Sequence, residues 1–301
     1  AALERTQVVL WVTLGAVAVN IVVNYALIFG NWGLPEMGVR GAATASAAVH
    51  AGSLLLLAGY AAWATPEHAL FVRLWRPDGA AFAQVFRLGW PIGITNLAEM
   101  GLFAASSVMM GWLGAQALAA HGIALQIASV TFMVHLGLSN AATVRAGRAL
   151  GTHDATGLRR GAQVVLGLSG AVALATVAVF LAVPEWLMGL FLSPGDPQRG
   201  AVVAIGTGLL AAAALFQLAD AAQVIALGLL RGVQDTRVPM VIAALAYWAV
   251  GIPASYAMGF VLGWGGVGVW LGLAAGLAMA GVFMLLRFRG WLSRMAGHAP
   301  A

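Results

Sequence analysis

Eight stretches of this chain stay apolar for more than twenty residues at a time, and few folds are open to a sequence built that way. They cover roughly 7–29, 39–64, 87–112, 118–144, 160–183, 201–230, 238–262 and 266–287. A helix needs about twenty apolar residues to cross the hydrocarbon core of a bilayer. Each run is long enough, and the links between them hold the turn formers GNWGLPEMG, GTHDATGLRR, SPGDPQRG, GVQDTRVP and GWGG. Lipid offers backbone groups no partners, so such segments close their own hydrogen bonds as helices. The expectation is an all-α polytopic membrane protein. Composition agrees, with 61% hydrophobic and 8% charged residues, against about 25% charged in soluble domains.

The fifteen basic residues are all arginine. With eight spans, thirteen of them fall on the side that also carries both ends, and Arg40 and Arg199 alone fall on the other. By the positive-inside rule the arginine-rich side is cytoplasmic, so both ends are expected there, in a bacterial-type inner membrane. The net charge of +5 is accounted for in the same way. No basic patch is interleaved with aromatics, which argues against nucleic acid as a partner. The expected surroundings are a lipid bilayer, with the protein a monomer in it. The link at 65–86 reads as an amphipathic interfacial helix, because Phe71, Leu74 and Trp75 alternate with Arg73 and Arg76.

The first helix pair resembles the last at a constant offset of 231. Ile21, Tyr25, Phe29 and Gly41 match Ile252, Tyr256, Phe260 and Gly272. The repeating unit is then six helices in one orientation, a known transporter plan. This divides the chain into 1–64 (the last two helices of an earlier lobe), a cytoplasmic linker 65–86, a complete six-helix lobe 87–289, and a cytoplasmic tail 290–301. Four helices are expected upstream.

Of ten acids, only Glu99 and Asp220 lie in mid-span. A charge at the bilayer centre costs about 2.5–3.5 kcal/mol on insertion scales, so each needs a partner cation or a bound proton. Each also heads a polar stripe at helical spacing: Thr95, Asn96, Glu99 and Ser106 in one span, and Gln217, Asp220, Gln223 and Arg231 in another. We therefore expect Glu99 and Asp220 to bind the cation or proton, with Thr95, Asn96, Gln217 and Gln223 supporting them. The bland reading, two protonated acids acting as interhelical glue, is weaker for two stripes than for one. Phe103, Phe216, Tyr247 and Trp248 are candidate walls of a pocket for greasy cations, since aromatics suit such ligands. Pro91, two turns before Glu99, is a candidate bend that gates the cavity.

No metal site is expected. Cysteine is absent, and His121 and His135 stand 14 residues apart, about 21 Å along a helix. They and His50 read as core histidines. No cofactor is expected either: no Walker motif is present, and the glycine-rich links follow no strand.

The stretches NYALIFGNWGLPEMGVRGAATA (24–45), RLGWPIGITNLAEMGLF (87–103), LAAHGIALQI (118–127), RAGRALG (145–151) and QLADAAQVIALGLLRGVQDTRVPM (217–240) resemble the multidrug and toxic compound extrusion transporters, most closely the NorM-type branch. The resemblance implies a twelve-helix, two-lobe transporter of which this chain holds helices five to twelve. It also implies antiport of organic cations and drugs against H+ or Na+, with Glu99 and Asp220 at the positions of the second lobe's acids. A lipid-linked saccharide flippase of similar plan and a non-transporting membrane scaffold are the alternatives. The first would place arginines inside the cavity, and the second would tolerate loss of both acids.

Overall fold

A computed structural model of the protein describes residues 6–68 and 78–297, and these are helical almost throughout. Among the described residues, eight helices are long and apolar enough to cross a membrane: Gln7–Phe29, Gly38–Ala64, Gly79–Leu113, Ala115–Gly151, Ala155–Ala182, Arg199–Gly232, Arg237–Val261 and Gly265–Met295. The chain is a multi-pass membrane protein of all-α class, as its apolar runs require.

The chain divides into two compact units, Ala1–Phe82 and Ala83–Ala301. The first is a hairpin of α1 (Thr6–Phe29) and α2 (Gly38–Ala64), joined through a 3-10 turn at Asn31–Gly33. The two helices touch at Gly41, where an added Cβ would lie 2.7 Å from the Leu27 carbonyl carbon. His50 is exposed on α2 rather than buried in a core. The interfacial helix expected around Phe71–Arg76 lies outside the described residues.

The second unit contains all but the first four residues of α3 (Gly79–Leu113), with α4 (Ala115–Gly151), α5 (Ala155–Ala182), a short α6 (Pro184–Gly189) and α7 (Arg199–Gly232). The next span is composite, and α10 (Gly265–Gly297) follows it. The helices α3 and α4 overrun their apolar runs. The helix α3 begins eight residues early, and α4 carries Arg145 and Arg148 in its last turns, where long side chains can reach out to the headgroups.

The composite span departs most from expectation. A single helix over 238–262 is instead α8 (Arg237–Ala244), a π-helical stretch Leu245–Gly251, α9 (Ile252–Tyr256) and a second π stretch Ala257–Val261. Pro253 explains the break, since it offers no N–H and its ring crowds the carbonyl four residues back. The backbone bonds slip to the wider π spacing on either side.

The helix α7 forms the core of this unit. Twenty of its 34 residues are buried, including every residue from Gln223 to Leu230, so both its apolar surface and its polar stripe are covered by neighbouring helices. The helices α4 and α10 approach it closely. A Cβ at Gly232 would lie 2.6 Å from the Thr143 carbonyl oxygen, and one at Gly281 would lie 3.2 Å from the Gln223 nitrogen. Two hydroxyls bind α4 to α7: Ser139 Oγ donates to the Val224 carbonyl at 2.7 Å, and Thr143 Oγ1 donates to the Gly228 carbonyl at 2.8 Å. Small residues and hydroxyl bridges are how helices associate within lipid. The α9–α10 crossing rests on Gly272, whose added Cβ would overlap the Ser255 backbone. Gly41 and Gly272, partners at the 231 offset, thus stand at helix crossings in their respective units.

Candidate functional site

The polar stripe of α7 faces protein. Asp220 is 1% exposed, and Gln217 and Gln223 are fully buried. The Gln217 amide nitrogen donates to the hydroxyl of Thr131 and, at 3.4 Å, to the Ala128 carbonyl, which fixes α7 against α4. Below it, both carboxylate oxygens of Asp220, both amide atoms of Gln223, the Gln217 Oε1, the Arg231 Nε and the Tyr247 Oη have no hydrogen-bond partner within the protein. Each such group costs about 1–3 kcal/mol when buried unpaired. Native proteins carry few of them; the five on Asp220, Gln223 and Tyr247 form a polar neighbourhood, with Gln217 and Arg231 at its two ends, about 21 Å apart along α7.

The helix α3 brings Glu99 to the same neighbourhood. Glu99 lies within electrostatic range of Asp220, Arg231 and Tyr247, and Asp220 within range of Tyr247. Tyr247, at the head of the first π stretch, is completely buried, and its hydroxyl lies beside the Gln223 amide without satisfying it. The Glu99 side is less enclosed than the Asp220 side: Glu99 is half-buried and Asn96 exposed.

Arg231 is the last member of the α7 stripe and one of the arginines counted on the cytoplasmic side. It stands in the last turn of α7, half-buried, and donates to Asn96 Oδ1 at 2.9 Å. The turn that follows is held by a 2.8 Å ion pair between Asp235 and Arg287 of α10, with Gln234 in the left-handed region. Thr95 is buried but donates to the Pro91 carbonyl at 2.8 Å, so its hydroxyl is engaged within α3. Ser106 points elsewhere, to the Phe103 carbonyl and His121.

Asp220 opens on a cavity of about 440 Å³ between α3, α4 and α7, lined by Phe103, Gly122, Gln126, Ser129, Phe132 and Phe216 among others. That lies within the usual range for small-molecule pockets, about 300–1,000 Å³. The aromatic wall has support behind it. The rings of Phe103 and Phe216 meet edge to face at 6.0 Å, and Phe216 meets Trp270 of α10 at 5.4 Å. The Trp270 indole N–H donates to His121 Nδ1 at 3.1 Å. His121 Nδ1 is therefore an acceptor, and its Nε2 faces the hydroxyls of Ser106 and Ser107 at 3.3 Å. His135 pairs with Ser169 at 2.9 Å. Both histidines are buried and each is hydrogen-bonded through at least one ring nitrogen, although His135 Nε2 has no partner.

Two expected residues stand apart from the cavity. Trp248 is 54% exposed, lies over Gly101 and donates to the Ala98 carbonyl at 3.2 Å, so it braces α3 from outside. Tyr247 contributes to the polar cluster rather than to the aromatic wall. Phe132 lines the cavity as an aromatic pocket residue, as its type suggests; sequence reasoning did not foresee Trp270 or Thr131. Trp270 alone carried a signal, since an indole N–H several residues inside a span needs an acceptor.

Comparison with known proteins extends this picture. The MatE family pattern matches residues 91–257, which include both acids, the cavity and the composite span as far as the start of its second π stretch. The chain is 44% identical over 289 residues to the probable multidrug resistance protein NorM of Agrobacterium fabrum, covering 95% of this chain and 62% of that protein. It is 45% identical over 301 residues to its counterpart in Rhizobium meliloti, covering 99% and 64%. Among solved structures, an outward-facing multidrug resistance MATE transporter of the MOP superfamily superposes with a TM-score of 0.81 at 18% identity, over 94% of this chain and 61% of that one. The chain thus spans a little over three-fifths of the length of these relatives.

Proposed function

Because the chain belongs to the MatE family, we propose that it forms the larger part of a secondary-active efflux antiporter. In this reading the transporter exports organic cations and drug-like molecules in exchange for H+ or Na+. Residues 87–289 act as one complete six-helix lobe of a two-lobe, twelve-helix carrier that alternates its access between the two membrane faces. The arginine-rich side is cytoplasmic. The observation that carries the proposal is the pair Glu99 and Asp220, electrostatically coupled deep in a membrane bundle, with Asp220 at the wall of an aromatic cavity and no hydrogen-bond partner of its own.

The mechanism follows from the cost of charge in oil. An ionised Asp220 in this setting demands a counter-charge, and a proton, a sodium ion and a cationic drug can each supply it. Only one can do so at a time, so the arrival of one releases another. Exchange of this kind needs no covalent step. Phe103, Phe132 and Phe216 would hold the greasy part of a cation against ring faces, worth about 0.5–2 kcal/mol for each well-placed ring. Glu99, nearer the opening, shares the load with Arg231 and Tyr247. Gln217 and Gln223 supply neutral oxygens that can join a proton or ion at Asp220.

One observation favours the flippase alternative: Arg231 reaches into the cluster. Its charge is met by Glu99, however, and Asp220 leaves the cluster acidic, which suits a cation better than a diphosphate. The test is transport into vesicles reconstituted with the protein under an imposed proton or sodium gradient. Glu99→Gln and Asp220→Asn should each abolish exchange of a cationic dye while leaving the protein folded. Full activity in both variants would reject the assignment.

A further inference from the structure

Away from the acids, a second cavity opens between α4 and α5. These helices run antiparallel, joined by a turn at 152–154, and their facing surfaces are made small by Ala142, Ala146 and Ala162. The result is a crevice of about 240 Å³ whose base is closed by Leu158, Val165 and Leu229. It runs along α5 from Gly157 to Leu168, about 16 Å at 1.5 Å per residue. Its outer edge is formed by Val164 and Leu168, both exposed apolar residues on a spanning helix.

One end of the crevice is apolar and the other is not. Arg145 of α4 and Arg160 of α5 both line it. Arg160 stands five residues inside the start of α5 and Arg145 six residues before the end of α4, about 8–9 Å from the helix ends. The helix α5 has 28 residues, about 42 Å, close to the full thickness of a bilayer with its headgroups. The backbones of Arg145 and Arg160 then lie near the edge of the hydrocarbon core, and the length of an arginine side chain lets each guanidinium reach headgroup depth. Both are exposed, and neither has a carboxylate partner among the described residues. The acid nearest in sequence, Asp154, is engaged in capping α5, its carboxylate accepting the Gly157 N–H at 2.7 Å. Gly161 leaves the Arg145 side chain free to lie across the crevice, for even an added Cβ would come no closer than 4.0 Å to its Nε.

We propose that this crevice holds one anionic phospholipid, its phosphate between Arg145 and Arg160 and an acyl chain along the α4–α5 walls. An apolar track ending in two unpaired guanidinium groups matches a molecule with a hydrocarbon tail and a negatively charged head, and arginine forks match phosphate oxygens. Basic pockets between spanning helices recruit anionic lipids in this way. The site shares no residue with the Glu99–Asp220 cluster, so it stands or falls apart from the transport reading.

The test uses the protein purified in neutral detergent, titrated with phosphatidylglycerol or phosphatidylcholine, with bound lipid counted by native mass spectrometry. Each arginine should contribute about fivefold and the pair about thirtyfold to the preference for phosphatidylglycerol. Arg145→Gln with Arg160→Gln should remove that preference, while the corresponding lysine pair should keep most of it. Val164→Trp, which fills the track and leaves the charge unchanged, should also lower retention. The proposal is overturned if the double glutamine variant retains phosphatidylglycerol like the parent, or if phosphatidylcholine is held equally well. It is also overturned if glycerol phosphate, the head without the chains, competes at equal concentration, because the crevice would then be a bare phosphate site.

Discussion

Gly228→Ala should unfold this protein more readily than its single added carbon suggests. The new Cβ would sit 2.7 Å from the Ser139 carbonyl oxygen, a backbone atom that cannot swing aside. Restoring an ordinary 3.4 Å contact needs α4 and α7 to part by about 0.7 Å. The two hydroxyl bridges between them, now 2.7 and 2.8 Å, would stretch to about 3.5 Å, beyond the usual range for O–H donors. Losing both costs about 1 kcal/mol, since interhelical hydrogen bonds within membranes average about 0.6 kcal/mol each. Overpacking adds about 1–3 kcal/mol. The total of about 2–4 kcal/mol should lower the melting temperature in detergent by roughly 5–15 °C for a unit of this size. Gly137→Ala is the control: it lies on α4 only two residues from Ser139, where an added Cβ meets nothing within 4 Å. That change should be neutral, or stabilising by up to about 1 kcal/mol. If Gly228→Ala melts together with the parent and the control, the close α4–α7 crossing is not what holds this unit.

Two further outcomes follow from the same geometry. His121→Leu strands the Trp270 N–H but leaves the Ser106 and Ser107 hydroxyls on the Phe103 carbonyl. It should cost about 1–3 kcal/mol in thermal unfolding, clearly more than Ser106→Ala, and equal losses would show that the indole bond is idle. Pro91→Ala restores a helical N–H inside α3, so it should raise the melting temperature while slowing dye efflux in vesicles. Efflux at the parent rate would end the idea of a gating bend.

The spans were legible because lipid permits little else: an apolar run of twenty residues or more is a helix wherever it occurs, and all eight appear. Their ends were less so, because Arg145 and Arg148 read as loop residues yet continue α4, where their length lets the charge reach water. The stripe on α7 was visible as a 3.6-residue period. Its proximity to Glu99 was not, since no local pattern relates residues 121 positions apart in sequence. Arg231 carried two signals, since its spacing put it on the α7 stripe while the turn formers GVQDTRVP beside it put it among the cytoplasmic arginines; its side chain folds back to Asn96. Trp248 was grouped with Tyr247 as its neighbour, but adjacent residues on a helix point in different directions, and this one points outward. The bond between His121 and Trp270 joins residues 149 positions apart and leaves no trace in either local sequence.

The tight seating of α7 also limits how this unit can move. A rod gripped by α4 at Gly228 and Gly232 and by α10 at Gly281 has no room to slide like a piston or to turn about its axis. Any swing that carries Asp220 from one side of a membrane toward the other must take α4 and α10 with it, as a single block pivoting on softer joints. The π-helical stretches beside Pro253, with their loosened backbone bonding, are the natural place to look for such a joint.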